Sequence, residues 1–156
     1  MGIRIGIVGA GTTVAIADRH VEGFLAQEGR CTVAAVCSRT LEGCRRLCVR
    51  HGLDGVRMTT RLEELLDVVD AVVLCTPNQF HLPYTERAVE RGKAVLLEKP
   101  LGLQTAPPGQ AERLLARRDA RVMVAYVYRY TVVVERLGAL PRPPAGGSSF
   151  STQVFP

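Results

Sequence analysis

Continuous apolar runs that alternate with amphipathic stretches constrain the fold of this chain more than any other feature. Five runs read as strands: IRIGIVGAG, CTVAAVCS, DAVVLCTP, KAVLLEKP and ARVMVAYVYR. Strands buried on both faces of a parallel sheet have this continuous character. Because helical stretches separate the runs, the sequence predicts an α/β fold with a doubly wound parallel sheet. Right-handed crossovers then bring every strand end to one edge, where ligands bind in such folds.

Helix boundary signals accompany the apolar runs. We expect a first helix over residues 13–28 and a second helix, TLEGCRRLCVRHG, that Gly52 closes at its C-terminal cap. A later helix, HLPYTERAVERG, carries Pro83 in its first turn, and QAERLLARRD is also helical in pattern. Thr60 and Glu63 have the spacing of a capping box in front of a short helix.

Length and composition set the expected domain organisation. The chain has 156 residues, 47% of them apolar and 22% charged, which suits one globular domain with a sizeable core. We expect one α/β domain over residues 1–137 and a Pro-, Gly- and Ser-rich stretch at 138–156 that ends in the strand-like FSTQVF. No apolar run is long enough to cross a membrane, and the N-terminus lacks signal-peptide anatomy, so a cytoplasmic protein is expected.

Cysteine usage and charge argue against a metal protein and against a nucleic-acid partner. The five cysteines are odd in number and form no C-x-x-C pair, so we expect reduced and mostly buried thiols. Cys44 and Cys48 are one helical turn apart, but no further ligand cluster supports a metal. The net charge of +5 comes from scattered arginines, which indicates solvated helix faces and no nucleic-acid surface.

The stretch GIVGAGTTV is the first candidate site. Gly9 and Gly11 follow a predicted strand and precede a predicted helix, where glycine lets backbone N–H groups approach a pyrophosphate. The third glycine of the dinucleotide fingerprint would fall at Val14 and is absent. We expect phosphate binding here, and a purely structural turn is the alternative.

The end of the second predicted strand bears on the choice of cofactor. Enzymes that use NAD usually place a carboxylate here for the ribose 2′-hydroxyl. This chain has Ser38, Arg39 and Thr40 instead, and a guanidinium pairs well with the oxygens of a 2′-phosphate. The sequence therefore favours NADP over NAD, the alternative being that Arg39 is one more surface arginine.

Two further segments end strands at the same edge. Thr76, Pro77 and Asn78 follow the third run, and His81 begins the next helix, where an ordinary N-terminal position is the simpler interpretation.

Glu98 and Lys99 end the fourth run, and Lys99 is one of only two lysines in the chain. An amine at this edge can hydrogen-bond a ribose or polarise a substrate oxygen, whereas a surface ion pair at a strand end is the alternative.

Taken in order, these motifs resemble the N-terminal half of the Gfo/Idh/MocA family of nicotinamide-dependent sugar oxidoreductases. The matching segments are GIVGAG, VCSR, CTPNQFH, EKPL and VAYVYRY, and the resemblance covers roughly residues 3 to 137. It implies a Rossmann NAD(P)-binding fold. It also implies hydride transfer between nicotinamide and a hydroxyl or carbonyl carbon of a small, sugar-like substrate.

The resemblance also implies roles for individual residues. Lys99 looks like the lysine that reaches the nicotinamide ribose and the substrate, and it is the candidate catalytic residue. His20 is similar to the histidine after the family's glycines, although it comes about three residues late. The implied cofactor-binding residues are Gly9, Gly11, Thr12, Thr13, Ser38, Arg39, Thr76, Pro77, Asn78, His81, Glu98 and Lys99.

The chain also departs from the family pattern. Family members carry a second, α+β domain that supplies substrate contacts and an acid–base histidine, and no histidine follows His81 here. Three hypotheses stay open: a truncated but working oxidoreductase, a silent cofactor-binding subunit, and a Rossmann scaffold reused for protein interaction or a non-redox ligand. Under the first two we expect a homo-oligomer, or a partner chain that completes the site and covers apolar surface around residues 122–137.

Overall fold

A six-stranded parallel sheet organises the chain. The computed structural model describes residues 2–11, 16–27, 29–103, 106–132, 134 and 136. The strands are β1 Ile3–Val8, β2 Cys31–Cys37, β3 Arg57–Thr59, β4 Ala71–Leu74, β5 Ala94–Leu97 and β6 Val122–Val124. The helices are α1 Ile16–Leu25, α2 Leu41–His51, α3 Leu62–Leu66, α4 His81–Glu90 and α5 Gln110–Leu115. The strand order is β3-β2-β1-β4-β5-β6 and every pair is parallel, so the predicted doubly wound sheet is confirmed.

Helices cover both faces of this sheet, which explains why its strands are apolar throughout. In β4, Val72 and Leu74 join a core with α3, α4 and α5, whereas Val73 between them joins the core with α1 and α2. Successive strand side chains point to opposite faces, so each residue of a central strand has its own helical layer to pack against. The order places β1 between β2 and β4, and the chain reverses direction of travel across the sheet at that position.

The chain divides into two compact units, Met1–Ala125 and Tyr126–Pro156. The first unit contains the whole sheet and its five helices. In the second unit the described residues form a 3₁₀ turn over Val127–Tyr130. The predicted tail at residues 138–156, with its strand-like FSTQVF, lies outside the described residues.

Several predicted helix boundaries are confirmed. Gly52 caps α2 in the left-handed conformation, with φ of 60°, and its N–H faces the carbonyl groups of Cys48 and Val49. Pro83 lies in the first turn of α4. Among the described residues, no helix is both long enough and apolar enough to span a bilayer.

The structure corrects the sequence prediction at the edges of the sheet. The strand predicted to continue through residue 129 ends at Val124, because β5, with which it pairs, ends at Leu97 opposite Val124. The helix predicted from Gln110 to residue 119 ends at Leu115. The three-residue strand β3 was not predicted, since two of its residues are exposed and it is too short to show a pattern.

The predicted capping box of Thr60 and Glu63 is wrong. Arg61 is the N-cap of α3, and its side chain makes no cap hydrogen bond. Thr59 lies before this cap, where its hydroxyl accepts from the Arg61 N–H at 3.0 Å and donates to the Glu64 carboxylate at 2.6 Å. Thr59 is the last paired residue of β3 and its side chain is buried, so it connects the end of the strand to the start of the helix.

A close approach between β1 and β4 makes glycine necessary at the end of β1. Gly9 has φ of +102°, a conformation that side-chain-bearing residues rarely adopt. A Cβ at this position would lie 2.5 Å from the carbonyl oxygen of Cys75 and 2.9 Å from the amide nitrogen of Thr76. Both neighbours are backbone atoms, so neither can rotate away.

We expect Gly9→Ala to lower the free energy of unfolding by about 2 to 5 kcal/mol, because backbone strain and a steric clash add. Urea-induced unfolding followed by circular dichroism measures this change. Gly23→Ala is the matched control: Gly23 is exposed in α1 with open space around it, so alanine should raise stability by up to about 1 kcal/mol. Equal stability of Gly9→Ala and the parent would contradict the account of this turn.

Candidate functional site

Backbone hydrogen bonds align the ends of four strands along the carboxyl edge of the sheet. The Gly9 N–H donates to the Cys37 carbonyl at 2.9 Å, and the Cys75 N–H donates to the Val8 carbonyl at 2.8 Å. The Glu98 N–H donates to the Leu74 carbonyl at 3.1 Å. The segments after β1, β2, β4 and β5 therefore lie side by side. These four segments contain the candidate residues that the sequence predicts.

The glycine turn after β1 has one packed side and one open side. Gly9 is packed against the end of β4, as described above. Around Gly11, the nearest described atom to a Cβ built there is the Gly9 carbonyl oxygen at 4.0 Å, so no described residue fills this side of the turn. The Gly11 N–H donates to that same oxygen at 2.7 Å, which tightens the turn. Thr12, Thr13 and Val14 lie outside the described residues.

A cavity of about 430 Å³ opens beside this turn. Backbone of Gly9 and Gly11 and the side of Cys75 form one wall, and α1 and α2 form the others. Its charged lining residues are Asp18, Arg19, Glu22, Arg46 and Arg50. Asp18 lies in the first turn of α1, and its carboxylate contacts Arg50 and His51 at 2.6 Å each. The cavity is therefore polar and of mixed charge, and it lies between β1 and β4, where the topology switches direction.

The end of β2 combines a buried serine with an exposed arginine. The Ser38 side chain is buried, and its N–H donates to the Thr59 carbonyl at 3.2 Å. Arg39 is exposed and makes no hydrogen bond or ion pair with the described residues. Thr40 caps α2 by accepting from the Gly43 N–H at 3.2 Å. These three residues line a second cavity of about 190 Å³.

The segment after β4 contains three of the candidate residues, Thr76, Pro77 and Asn78. Pro77 and Asn78 are exposed, and Asn78 begins a 3₁₀ turn that leads into α4. The Thr76 hydroxyl is buried and finds no hydrogen-bond partner among the described residues. The buried Thr85 hydroxyl in α4 likewise finds no partner among the described residues, so this feature is not confined to the carboxyl edge.

His81 is a buried connection between two strand ends. Its side chain is only 1% exposed. One ring nitrogen lies 2.6 Å from the Pro100 carbonyl oxygen and the other lies 2.9 Å from the Thr76 carbonyl oxygen. The ring therefore holds the segments after β4 and β5 together. In this position it supports the edge from within the fold, rather than facing the cavities at its surface.

The segment after β5 separates its two charged side chains. The Glu98 carboxylate contacts the His20 ring at 2.8 Å, and both side chains are mostly buried, at 13% and 16% exposed. Lys99 is exposed, and its amine makes no ion pair or hydrogen bond within the described part of the chain. Of the two alternatives for Lys99, a surface ion pair at the strand end is absent among these residues, and the amine is available to a ligand.

The thiols at this edge are uncharged groups. Burial raises the pKa of Cys75 to about 12, and the Glu98 carboxylate adds to the effect. Burial likewise raises the pKa of Cys37 to about 12, with smaller contributions from Cys44 and two glutamates. All five cysteines are free, and three of them are buried. At neutral pH the Cys37 and Cys75 thiols stay protonated and supply no thiolate nucleophile.

Two residues of α2 belong to this site although the sequence did not point to them. Gly43 is buried against the site: a Cβ there would lie 2.7 Å from the Ser38 hydroxyl oxygen and 3.0 Å from the Ala10 carbonyl oxygen. Arg46 lines both cavities. The available signal for Gly43 was a glycine inside a helix, where it costs up to about 1 kcal/mol relative to alanine and so needs a packing reason.

Comparison with known proteins agrees with this architecture. Residues 3–126 match the family model GFO_IDH_MocA, described as an oxidoreductase family with an NAD-binding Rossmann fold. Over 114 residues the chain is 38% identical to a dTDP-3,4-didehydro-2,6-dideoxy-α-D-glucose 3-reductase from Actinomadura kijaniata; that alignment covers 73% of this chain and 32% of the relative.

Solved structures show the same fold. A 3-ketoreductase from Actinomadura kijaniata, crystallised with NADP and TDP-benzene, superposes with a TM-score of 0.70 at 30% identity, covering 88% of this chain and 41% of that one. A myo-inositol dehydrogenase from Lactobacillus casei, crystallised with NAD(H) and myo-inositol, gives a TM-score of 0.76 at 20% identity, covering 88% and 40%. The chain thus spans well under half the length of these relatives.

Proposed function

This chain belongs to the Gfo/Idh/MocA oxidoreductase family, and from that premise we propose that it binds NADP along the carboxyl edge of its sheet. We further propose that it serves hydride transfer between the nicotinamide and a hydroxyl or carbonyl carbon of a small, sugar-like substrate. The observation that carries the proposal is the alignment of four strand ends, which brings the glycine turn, Arg39 and Lys99 to one edge. Neither Arg39 nor Lys99 has a hydrogen bond or ion pair with the described residues.

The glycine turn is the proposed pyrophosphate site. Gly11 leaves open space in front of the turn, so a pyrophosphate could approach the backbone closely. Thr12 and Thr13, which follow directly in the sequence, are proposed to contribute to the same site. The large cavity beside this turn is of a size suited to part of a dinucleotide.

The end of β2 is the proposed site of the adenosine ribose and its 2′-phosphate. Ser38 and Arg39 offer a hydroxyl and a guanidinium, and among the residues that line the smaller cavity there is no carboxylate. A carboxylate would hydrogen-bond a 2′-hydroxyl and repel a 2′-phosphate, so its absence from this lining supports NADP in preference to NAD.

The nicotinamide is proposed to lie against the segments after β4 and β5, and when bound it supplies the carbon that gives or takes hydride. Thr76, Pro77 and Asn78 form one side of this part of the site. Lys99 is proposed to hydrogen-bond the ribose and the reacting oxygen of the substrate, and to hold or accept the proton there. The Glu98 carboxylate contacts His20 and so fixes the backbone at the end of β5. The His81 ring contacts the Pro100 carbonyl and so holds the segment after β5 in place.

We also propose that a second copy or a partner chain completes the active site. Several apolar side chains of the second unit are strongly exposed, and Val127, Tyr128 and Tyr130 are each more than 60% accessible. Exposed apolar groups of this kind usually mark an interaction surface. We place the protein in the cytoplasm, as its free thiols suit a reducing compartment.

Sedimentation at roughly tens of micromolar protein should therefore show a species larger than the monomer. A dimer held by this apolar surface with a dissociation constant of about 1 μM would be mostly assembled at that concentration. Tyr128→Ser combined with Tyr130→Ser should shift the protein toward the monomer, because less apolar area is available for burial. A parent protein that sediments as a clean monomer at this concentration would exclude the second copy and leave only the partner chain.

Arg39→Ala should weaken NADPH binding by about 10- to 100-fold and leave NADH binding within about threefold, because the guanidinium has a partner only in the 2′-phosphate. Titrations that follow the fluorescence of the reduced nicotinamide give both dissociation constants. Arg30→Ala is the control, since Arg30 lies before the other end of β2 and bonds Gln27. Equal weakening of both cofactors in Arg39→Ala would remove this assignment.

Lys99→Ala should lower NADP-linked turnover by about 10²- to 10⁴-fold, because a general acid–base group is lost. It should weaken NADPH binding by no more than about 10-fold, because a single hydrogen bond to the ribose is lost with it. Turnover is measured over a panel of polyols, sugars and keto-sugars. Lys93→Ala is the matched control, since the only other lysine bonds the Val69 carbonyl at the opposite edge and should be dispensable.

A second readout of Lys99 does not depend on turnover. Reductive methylation with ¹³C-formaldehyde labels both lysines, and NADPH should shift the methyl signal of Lys99 and leave that of Lys93 unchanged. A shifted Lys99 signal without turnover on any substrate would favour the silent cofactor-binding subunit. No binding of either cofactor would favour a Rossmann scaffold with another role.

A further inference from the structure

Arg46 occupies a position that the proposed cofactor site does not yet use. It is one of three residues that line both cavities at the carboxyl edge, together with Gly11 and Gly43. The larger cavity contains the glycine turn, and the smaller one contains Ser38 and Arg39. Arg46 is therefore the side chain that stands between the proposed pyrophosphate site and the end of β2.

Gly43 explains how Arg46 comes so close. The missing side chain of Gly43 lets α2 approach the Ala10 carbonyl and the Ser38 hydroxyl, which a Cβ would contact at 3.0 Å and 2.7 Å. Residues three apart lie on the same face of a helix. Arg46 follows Gly43 by three positions, so the face of α2 that meets the turn and the strand end also carries this guanidinium.

The Arg46 guanidinium is not committed to a strong partner. Its contact with the Glu42 carboxylate is 3.6 Å long, whereas the neighbouring Arg45 contacts the same carboxylate at 2.9 Å. Arg46 is 43% exposed and Glu42 is 56% exposed, and exposed ion pairs of this kind contribute little. Arg46 can therefore turn to a ligand and leave Glu42 paired with Arg45.

The charge of the smaller cavity indicates what the ligand would be. Its described lining contains two guanidinium groups, Arg39 and Arg46, and two hydroxyls, Ser38 and Thr40, but no carboxylate. The acidic residues Asp18 and Glu22 line only the larger cavity. Two guanidiniums suit a phosphate monoester, which carries nearly two negative charges at neutral pH and accepts several charge-assisted hydrogen bonds.

We propose that Arg46 is a specificity-determining residue that binds the 2′-phosphate of NADP together with Arg39. This inference rests on the proposed NADP function and adds to it the second cation of the site. Arg46 acts on the adenosine end of the cofactor and has no part in the proton transfer assigned to Lys99.

Two fragments of the cofactor test the proposal without any substrate. Adenosine 2′,5′-bisphosphate carries the 2′-phosphate and a single 5′-phosphate, and ADP carries the 5′-pyrophosphate and no 2′-phosphate. Isothermal titration at fixed ionic strength gives the dissociation constant of each fragment. Arg46→Ala should weaken bisphosphate binding by about 10- to 100-fold and leave ADP binding within about threefold.

Arg45→Ala is the matched control, because Arg45 is adjacent, equally charged and paired with the same Glu42, but lines neither cavity. It should leave both fragments within about threefold of the parent. Arg46→Lys should recover only part of the bisphosphate affinity, since an ammonium keeps the charge and loses the planar fork. Unchanged circular dichroism spectra of the variants confirm that α2 still folds.

The remaining outcomes distinguish failure of the role of Arg46 from failure of the proposed NADP function. Equal weakening of both fragments in Arg46→Ala would place the guanidinium on the pyrophosphate and overturn its role in specificity. No change in either fragment would also overturn it. A parent protein that binds NADPH no better than NADH would overturn the NADP preference itself, and the role of Arg46 with it. Loss of bisphosphate affinity in Arg46→Ala but not in Arg39→Ala would uphold Arg46 and remove Arg39.

Discussion

The contact between Gly9 and the backbone of Cys75 is the constraint on which the rest of the edge depends. No side chain fits between the end of β1 and the end of β4, so the two backbones meet directly. β1 lies between β2 and β4 in the sheet, so this contact aligns the turn after β1 with the strand ends on both sides. A shift here would move the glycine turn relative to Lys99 and so change the distance between the two ends of the proposed cofactor site.

The distribution of paired and unpaired charges distinguishes the two edges of the sheet. At the amino edge, the backbone N–H and the guanidinium of Arg4 donate hydrogen bonds to the Asp70 carboxylate. These bonds hold the pKa of that carboxyl well below its usual range. The pair joins the starts of β1 and β4. At the carboxyl edge, Arg39 and Lys99 have no partner among the described residues. Exposed cations without partners, gathered at the edge where ligands bind, are what a polyanionic cofactor requires.

The sequence was a good guide wherever one residue type has one physical reason. Continuous apolar strands, the cap at Gly52 and the order of the motifs predicted the sheet and the family, because burial on two faces and left-handed backbone leave few alternatives. It was a poor guide where the reason lies in another part of the chain. That the ring of His81 connects the segments after β4 and β5 depends on the carbonyl of Pro100, which is 19 positions away in the sequence.

The sequence also does not show that Arg46 lies at the candidate site. In the sequence it is one of many arginines on a helix, and its neighbour Arg45 looks identical. Only the packing of Gly43 against Ser38 and Ala10 gives one of the two a place at the site. The short strand β3 was missed for a related reason, since its pairing with β2, rather than any pattern of its own, makes it a strand.

The central claim is that the carboxyl edge of this sheet is a dinucleotide site. Amide chemical shifts of the ¹⁵N-labelled protein, recorded during a titration with NADPH, test it most directly, because every described strand end reports separately. The account predicts saturable shifts at Gly9 to Gly11, Ser38 to Arg39, Thr76, Asn78 and Glu98 to Lys99, with the amides of Arg30, Asp70 and Lys93 at the opposite edge unmoved. Absence of saturable shifts, or shifts confined to the opposite edge, would contradict it.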